Sequence, residues 1–433
     1  MRSTPPNRPV RTGLRRVGAA AAAAVALVFA GFGTAVQADA ATVSSKVTWT
    51  ATPCATPKHK GELACNSYRV TGGLTAFQKQ QAARTGVTPK AADAATPSGY
   101  GPTNLQSAYG LTSAAASNGS GETIAIVDAY NDPNAESDLA TYRSYYGLSA
   151  CTTANGCFKK VSQTGSTTSL PSSDAGWSEE ISLDLDMASA VCPKCNILLV
   201  EATSATMANL GKAVNEAVTL GAKYVSNSYG GSESSSDTSY DSSYFNHPGV
   251  AITVSAGDSG YGAEYPAASR YVTSVGGTAL KTSSTTRGWT ETVWKTSSTE
   301  GTGSGCSSYD TKPSWQTDTG CSKRTISDVS AVADPATGVS VYDSYGVTAG
   351  WYTFGGTSAS APIIAAVYAL AGTPSSSSYP ASFPYTKAGT SALNDVTSGN
   401  NGSCSTTYLC TAQTGYDGPT GWGTPEGVSA FTG

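Results

Sequence analysis

Short apolar runs alternate with helical stretches through most of the chain. The apolar runs predict β-strands at residues 123–127, 197–201, 224–228, 250–255 and 271–275. The stretches between them predict helices at residues 138–146, 179–191 and 206–220. Strands that alternate with helices in this way are typical of α/β proteins. We therefore predict an α/β domain whose central sheet is mostly parallel and flanked by helices.

The N-terminus has the pattern of a secretory signal over residues 1–40. Five arginines come first, an alanine-rich stretch follows at 17–36, and Ala38-Asp39-Ala40 is typical of a cleavage site. No second apolar span of membrane length follows, so we predict a secreted, extracellular protein without a membrane anchor after signal removal. Residues 41–97 are then a short leader, and residues 98–433 form the main domain.

Ten cysteines fall into five close pairs. In an exported chain such pairs indicate disulfides, and local bridges are the simplest connectivity. The pairs are Cys54/Cys65, Cys151/Cys157, Cys192/Cys195, Cys306/Cys321 and Cys404/Cys410. The run Cys192-Pro193-Lys194-Cys195 also has the spacing of a redox or metal motif. A structural bridge fits it better, because no second such motif and no nearby histidine completes a metal site.

Charged residues make up only 13% of the chain, and the net charge is −4. This composition lacks the basic patch that nucleic-acid binding requires. Nothing in the sequence indicates an obligate assembly, so we expect a monomer.

The run Phe354-Gly355-Gly356-Thr357-Ser358-Ala359-Ser360-Ala361-Pro362 precedes an apolar stretch, 363–370, that predicts a helix. Ser358 then lies in the first helical turn, where unpaired N–H groups and the helix dipole favour negative charge. That position suits a nucleophilic serine. Such a serine usually needs a histidine base, yet the chain has only His59, in the leader, and His247, in an Asn-His-Pro-Gly turn.

Carboxylates are the other candidates for the base. Glu180 and Asp184 are four residues apart on the predicted helix at 179–191, which places them on one face. A solvated acidic face is the alternative, because charge runs usually lie at the surface. Asp258 follows the predicted strand at 250–255 in an Asp-Ser-Gly turn, which alone indicates little.

In their order along the chain, these pieces resemble the sedolisin family of serine-carboxyl peptidases, relatives of the subtilisins with glutamate in the place of the histidine. Further motifs extend the resemblance over about residues 98–430. They lie at residues 100–110, 226–230, 275–278, 313–316, 328–331 and 420–425. The resemblance implies a subtilisin-like fold, endopeptidase activity, and protein or peptide substrates.

The resemblance also implies a role for each matching residue. Ser358 becomes the nucleophile, Glu180 the general base and then acid, and Asp184 the carboxylate that orients Glu180. Glu180 fits the family spacing Glu-x-x-x-Asp, whereas Glu179 is one residue out of phase. Asp258 becomes the oxyanion-hole residue.

A carboxyl group can donate a hydrogen bond to an oxyanion only while it is protonated. Asp258 must therefore be neutral at the working pH, while Glu180 must be able to accept the serine proton. Since reference carboxyl pKa values lie near 4, we predict an activity optimum at about pH 3–5.

One calcium ion is a further implication of the resemblance. Family members hold it with an Asp-Ile pair and a Gly-x-Gly-x-Asp segment, and oxygen ligands of this kind suit calcium. The matching positions here are Asp395, Val396, Gln413, Gly415 and Asp417. Val396 and Gln413 offer only backbone carbonyls, and Gln413 replaces a glycine.

Two other functions stay open. A catalytically inactive secreted binding protein could share this fold. The short leader favours this alternative, because members of the family have a large folded prosegment in its place. A histidine-dependent subtilisin that uses Asp128 and His247 is the second, although His247 lies in a Pro-Gly turn rather than at a helix start. The presence of all four implied catalytic residues favours the serine-carboxyl enzyme.

Overall fold

The structure is a computed structural model that describes residues 46–87 and 94–433. The signal sequence predicted for residues 1–40 lies outside the described residues. The strands are β1 Thr48–Ala51, β2 Ala64–Cys65, β3 Tyr68–Gly72, β4 Thr123–Ala129, β5 Phe158–Ser162, β6 Asn196–Ala202, β7 Tyr224–Asn227, β8 Tyr229–Ser232, β9 Ala251–Ser255, β10 Ser259–Tyr261, β11 Glu264–Tyr265, β12 Thr273–Thr282, β13 Trp289–Val293, β14 Gly301–Cys306, β15 Thr325–Ile326, β16 Val329–Val332, β17 Val339–Asp343, β18 Gly350–Gly355, β19 Leu393–Asn394 and β20 Thr424–Pro425. The helices are α1 Ala76–Thr85, α2 Pro102–Ala108, α3 Thr112–Ser117, α4 Ala135–Tyr145, α5 Ala175–Val191, α6 Met207–Thr219, α7 Asp237–Tyr240, α8 Thr357–Ala371 and α9 Phe383–Thr386.

Among these residues, eight strands form the central sheet, in the order β13-β12-β9-β7-β4-β6-β5, with β16 also paired to β12. Every neighbouring pair is parallel except β12 and β13. The prediction of an α/β fold with a mostly parallel sheet is therefore confirmed. No helix in the described part of the chain is long and apolar enough to cross a membrane.

Alternating side chains of β4 bury both faces of the sheet. Ile124 and Ile126 belong to the core that contains α5 and α8, whereas Ala125 and Val127 belong to the core that contains α6. Full burial of one aliphatic side chain of this size contributes about 1.5–3 kcal/mol. The two layers of helices are thereby fixed on opposite faces of the sheet.

The carboxyl ends of three neighbouring strands meet at one edge of the sheet. Asp128 lies near the end of β4, Ser228 directly follows β7, and Asp258 lies just beyond β9. Parallel strands direct these ends to the same side, which is the usual place for a ligand site in an open α/β sheet.

Strands of the predicted leader pair with strands of the main domain. β3 pairs antiparallel with β18, and β2 pairs antiparallel with β8. β1 pairs in turn with β3. The described residues of Val43–Gly433 form one compact unit. The leader is thus folded onto the domain, although its sequence has no strong hydrophobic period.

All five predicted cysteine pairs are disulfides, which confirms the local connectivity. The bridges are Cys54–Cys65, Cys151–Cys157, Cys192–Cys195, Cys306–Cys321 and Cys404–Cys410. Among the described residues no cysteine is free. The Cys-x-x-Cys run is therefore a structural bridge.

Candidate active site

Ser358 lies in the first turn of α8. Gly356 precedes the helix with φ +103°, a left-handed conformation that glycine adopts without steric cost. At this position the N–H of Ser358 is free of the helical ladder and points to a partner outside the helix. The Ser358 hydroxyl donates to the carbonyl of Ser228 at 3.2 Å. The serine is therefore held between the start of α8 and the end of β7.

α5 carries the predicted acid pair through the interior. Asp174 caps the helix by accepting hydrogen bonds from the N–H groups of Gly176 and Trp177. Glu180 and Asp184, one turn apart, are both fully buried. The alternative of a solvated acidic helix face is therefore wrong.

Asp128, a third carboxyl, extends this row. Burial and the charges of Glu180 and Glu201 raise the pKa of Asp128 well above its usual value. Neither of the Asp128 oxygens has a hydrogen-bond partner among the described residues.

Asp184, the middle carboxyl of the row, has one partner in the described structure. The Ser228 hydroxyl lies 2.9 and 2.8 Å from its two oxygens. Neighbouring buried carboxyls cannot all ionise, so this row retains protons.

Burial raises the pKa of Glu180 to about 7, and the hydroxyls of Ser358 and Ser67 oppose that rise. Its Oε2 accepts a hydrogen bond from Ser67, while its Oε1 has no hydrogen-bond partner in the described part of the chain. The Ser358 hydroxyl thus favours the ionised form of Glu180, although its own hydrogen bond goes to the Ser228 carbonyl.

Asp258 lies beside the start of α8. Its Oδ1 accepts hydrogen bonds from the N–H and the hydroxyl of Thr357, both at 2.8 Å. Its Oδ2 is buried and has no partner in the described structure. Burial raises the pKa of Asp258 well above its usual value, although the two bonds from Thr357 lower it. A neutral carboxyl with one free oxygen can donate a hydrogen bond there.

Asn66 and Ser67 of the leader lie against this site, which the sequence analysis did not predict. The N–H of Ser358 donates to the carbonyl of Asn66 at 3.0 Å, and the N–H of Asn66 donates to the Ser358 hydroxyl at 3.1 Å. Neither leader residue belongs to a recognisable motif. The neighbouring Cys54/Cys65 pair, a sign of an ordered loop, is the one sequence signal for this part of the site.

Both histidines lie elsewhere. His247 Nε2 is 2.8 Å from Asn215 Oδ1, and burial lowers the pKa of His247. His59 is exposed, and its N–H donates to Glu62. In the described structure no contact joins His247 to Asp128, so the histidine-dependent subtilisin pair is not formed.

The residues predicted to bind calcium lie together near the C-terminus. The N–H of Gly415 donates to Asp395 Oδ2 at 2.8 Å, and the N–H of Gln413 donates to Asp417 Oδ2 at 3.1 Å. Backbone N–H groups of residues 413–417 therefore contact the carboxylates of Asp395 and Asp417. With Val396 next to Asp395, the set offers only carboxylate and carbonyl oxygens, so it fits calcium by its donor chemistry.

The mostly parallel sheet with helices on both faces matches a subtilisin-like fold. The Subtilase family model matches residues 171–382. The S41 psychrophilic protease, 19% identical with a TM-score of 0.51 over 76% of this chain and 99% of that chain, shares the fold.

More specific relatives are sedolisins. Kumamolisin from Bacillus sp. (strain MN-32) is 32% identical over 77% of this chain and 63% of its own length. Sedolisin from Pseudomonas sp. (strain 101) is 31% identical over 76% of this chain and 60% of its own length. The structure of Pseudomonas sedolisin, a serine-carboxyl proteinase complexed with pseudo-iodotyrostatin, is 27% identical with a TM-score of 0.62, over 76% of this chain and 96% of that chain. The chain belongs to the sedolisin family, and it spans about 60% of the length of the curated relatives.

Proposed function

We propose that this chain is a serine-carboxyl endopeptidase that hydrolyses peptide bonds in proteins or peptides under acid conditions. One observation carries the proposal. The Ser358 hydroxyl is close enough to the buried Glu180 to lower its pKa, and the unpartnered Oδ2 of Asp258 lies 2.6 Å from where a Cβ on Gly356 would be, just before Ser358. A nucleophile, a proton acceptor and an oxyanion donor at one point are what acyl transfer requires.

The chemistry follows from these positions. As the Ser358 oxygen attacks a peptide carbonyl, its proton passes to Glu180, whose orientation and charge depend on Asp184. The developing oxyanion accepts hydrogen bonds from the Ser358 N–H and from protonated Asp258. Glu180 then returns the proton to the leaving amine, and water hydrolyses the acyl-enzyme by the same route in reverse.

Two titrations set the direction of the pH dependence. Activity falls as pH rises through the raised pKa of Asp258, because the oxyanion donor is lost. Activity also falls as pH drops through the pKa of Glu180, because the base is then already protonated. The pKa of about 7 applies to Glu180 while Ser67 covers it. When water reaches the carboxyl, burial raises its pKa less. An optimum at about pH 3–5 requires this lower pKa of Glu180.

The test is digestion of a denatured protein between about pH 2 and 9, a range that brackets the carboxyl titrations. We expect acid-limited cleavage by the purified chain and a loss of at least about 10³-fold in the Ser358→Ala variant. Absence of cleavage by the parent at every pH would support the inactive binding protein instead. Equal cleavage by both proteins would place the activity at another site.

Calcium at Asp395, Val396, Gln413, Gly415 and Asp417 is also a proposal. Because an ion that binds only the folded state stabilises it, millimolar Ca²⁺ is expected to raise the Tm of the Ser358→Ala protein by a few degrees, roughly the effect of 2–3 kcal/mol. The Asp395→Asn/Asp417→Asn protein serves as the control and should lose the contribution of this site. An identical Tm with Ca²⁺ and with a chelator would contradict the site.

Export is supported by the signal pattern of residues 1–40, and the five disulfides suit an oxidising compartment. We propose a secreted monomer on this basis. Sedimentation of the protein recovered from culture medium tests both parts of this proposal.

A further inference from the structure

Acidic side chains from two loops meet outside the candidate active site. Glu233 directly follows β8, and Asp237 is the first residue of α7. Asp310 belongs to the loop after β14. One carboxylate oxygen of each of these three residues lies within 4.8 Å of those of the other two. We call Glu233, Asp237 and Asp310 the acidic cluster.

Asp310 is the member of the cluster whose carboxyl lacks hydrogen bonds. Its side chain is fully buried, and neither carboxyl oxygen has a hydrogen-bond partner among the described residues. Burial and the charges of Asp241, Asp237 and Glu233 raise the pKa of Asp310 to about 8. Asp241 is close enough to share a proton with Asp310, but two ionised carboxylates offer no donor to each other. In its ionised form Asp310 therefore requires a bound cation.

The other two carboxylates are held by hydrogen bonds that favour their ionised forms. Glu233 accepts from the Ser307 hydroxyl and from the N–H of Ser308, the latter at 3.0 Å. Asp237 accepts from the N–H and the hydroxyl of Ser234, at 2.7 and 2.8 Å. Each carboxylate oxygen keeps a lone pair after one such bond. Hydrogen bonds of this kind orient the carboxylates that bind a metal ion.

No ion pair in the described part of the chain neutralises the cluster. The Tyr265 hydroxyl donates to Asp241 Oδ1 at 3.1 Å, and this neutral group adds no positive charge. The acids of the ion pairs are all others, namely Asp174, Glu179, Glu201, Glu291, Asp318 and Asp328. Because buried charges are costly unless they are paired or coordinate a metal, the cluster lacks a counter-ion.

The donor set indicates the class of cation. All three ligands are carboxylates, and the cluster contains neither cysteine nor histidine. Such oxygen ligands suit Ca²⁺ and Mg²⁺ rather than zinc or copper. Opposite ligands of one ion lie about 4.6–5.2 Å apart around Ca²⁺ and about 4.0–4.2 Å apart around Mg²⁺, twice the metal–oxygen distances. The limit of 4.8 Å between the oxygens of the cluster falls in the calcium range.

We propose that the acidic cluster is a calcium site, separate from the one at Asp395 and Asp417. Carboxylate oxygens of Glu233, Asp237 and Asp310 bind one ion, and water fills its remaining positions. The proposal does not depend on the peptidase activity.

The strands that lead into the cluster also border the cavity beside Asp258. Gly230 and Gly231 of β8 line that cavity together with Asp258. β14 pairs with β10, whose first residue directly follows Asp258. A calcium ion between Glu233 and Asp310 therefore links the loops that follow these two strands.

Calcium binding is measured by calorimetry on the full-length Ser358→Ala/Asp395→Asn/Asp417→Asn protein, which we call the test protein. The substitutions prevent self-digestion and remove the C-terminal calcium ligands. At about pH 8, after treatment with a chelator, we expect one Ca²⁺ per chain with a Kd of roughly 10⁻⁴–10⁻³ M, the range of extracellular calcium modules. Mg²⁺ should bind at least about tenfold more weakly, because it requires near-ideal octahedral geometry.

Substitutions in the test protein assign the binding to the cluster. Asp310→Asn keeps the size of the side chain and should weaken Ca²⁺ binding by more than about tenfold. Glu233→Gln should have the same effect, and it provides the test if Asp310→Asn does not fold. Asp132→Asn is the matched control, because Asp132 is also buried with one unpartnered oxygen in the described structure but lies outside the cluster. It should bind Ca²⁺ as the test protein does.

Terbium locates the bound ion independently. Tb³⁺ occupies calcium sites and emits when a nearby tyrosine is excited, and Tyr265 lies beside the cluster through its bond to Asp241. Emission from the test protein should be displaced by Ca²⁺ and should nearly disappear in Asp310→Asn.

Three results would overturn the inference. If the test protein binds no Ca²⁺ up to about 10 mM, well above the Kd range of such sites, Asp310 and Asp241 share a proton instead of facing a metal ion. Unchanged Ca²⁺ affinity in both Asp310→Asn and Glu233→Gln would place the ion elsewhere. An equal loss of affinity in Asp132→Asn would show that removal of any buried acid has this effect.

Discussion

Two carboxyl groups near Ser358 have different hydrogen-bond partners, which suit them to different tasks. Glu180 has hydroxyls of Ser358 and Ser67 around it, and these favour its ionised form. Asp258 is buried with one oxygen unpartnered in the described structure, and this favours its neutral form. This difference in surroundings assigns Glu180 as the base and Asp258 as the hydrogen-bond donor to the oxyanion.

Replacement of Asp258 distinguishes a donor role from a structural one. Asn keeps the carbonyl that Thr357 can bond and places an NH₂ where Oδ2 lies. That donor does not titrate, so the alkaline limit of activity in Asp258→Asn should move to higher pH, with a maximum reduced by about tenfold. Asp258→Ala should lose roughly 10²–10³-fold at every pH. A parental alkaline limit in Asp258→Asn would contradict the oxyanion role.

Among the residues of the site, the sequence predicts those that belong to motifs. It does not predict residues that only the folding of the chain brings to the site. Ser358, Glu180, Asp184 and Asp258 each stand in a patterned run. Asn66 reaches the site only because its neighbours pair with β8 and β18, strands far away in the sequence. A two-residue strand such as β2 has no periodicity to detect.

Helix α8 is bounded by two glycines with the same backbone conformation and different surroundings. Gly356 has φ +103° and Gly372 has φ +98°. A Cβ on Gly356 would lie 2.1 Å from the Asn66 carbonyl, whereas a Cβ on Gly372 would meet nothing within 4 Å. Substitution of Gly372 therefore tests backbone strain alone, whereas substitution of Gly356 adds a steric conflict at the site.

Gly372→Ala should lower the free energy of unfolding by about 1 kcal/mol, the cost of the backbone conformation. Gly356→Ala adds the displacement of the site and should cost more than about 2 kcal/mol. Folded Gly356→Ala should also lose roughly 10²-fold in activity, while Gly372→Ala keeps it. Urea unfolding and peptide hydrolysis measure the two effects. Equal stability and equal activity of the variants would refute the steric argument.

Elements with a strong pattern were predicted well, and their ends less well. The strand predicted at residues 123–127 is β4, two residues longer. α5 begins at Ala175 rather than 179, because Asp174 caps it. β12 extends to Thr282 because it pairs with β13, a contact that local sequence does not contain.

Many buried acids in the described part of the chain have a raised pKa. Burial raises the pKa of six of these carboxyls to about 7: Asp132, Glu179, Glu180, Glu201, Glu264 and Asp417. A carboxyl with a raised pKa in the folded state binds more protons there than in the unfolded chain. The free energy of unfolding must therefore fall as pH rises from the unfolded pKa values, about 4, towards 7.

Thermal unfolding of Ser358→Ala, which avoids self-digestion, should thus give a higher Tm at about pH 4.5 than at pH 7.5. Glu201→Gln removes one of these titrations and should reduce the difference. A Tm that rises over the same range would show that these acids are not protonated in the folded state.

At this scale the sequence predicts the sheet, the disulfides and the family, because each leaves a local or ordered pattern. The position of the leader is different. Its strands pair with β8 and β18, which lie far away in the sequence, so composition and spacing could not predict it.

The most direct test of the serine-carboxyl mechanism compares two adjacent glutamates. Glu179 is paired with Arg69 at 3.0 Å, whereas Glu180 faces Ser358. Both are buried on α5, so Glu179→Gln controls for loss of a buried charge. Over a pH profile with a denatured protein substrate, Glu180→Gln should lose about 10²–10⁴-fold in kcat, and Glu179→Gln should stay within a few-fold of the parent. Comparable activity in Glu180→Gln and the parent would contradict the account.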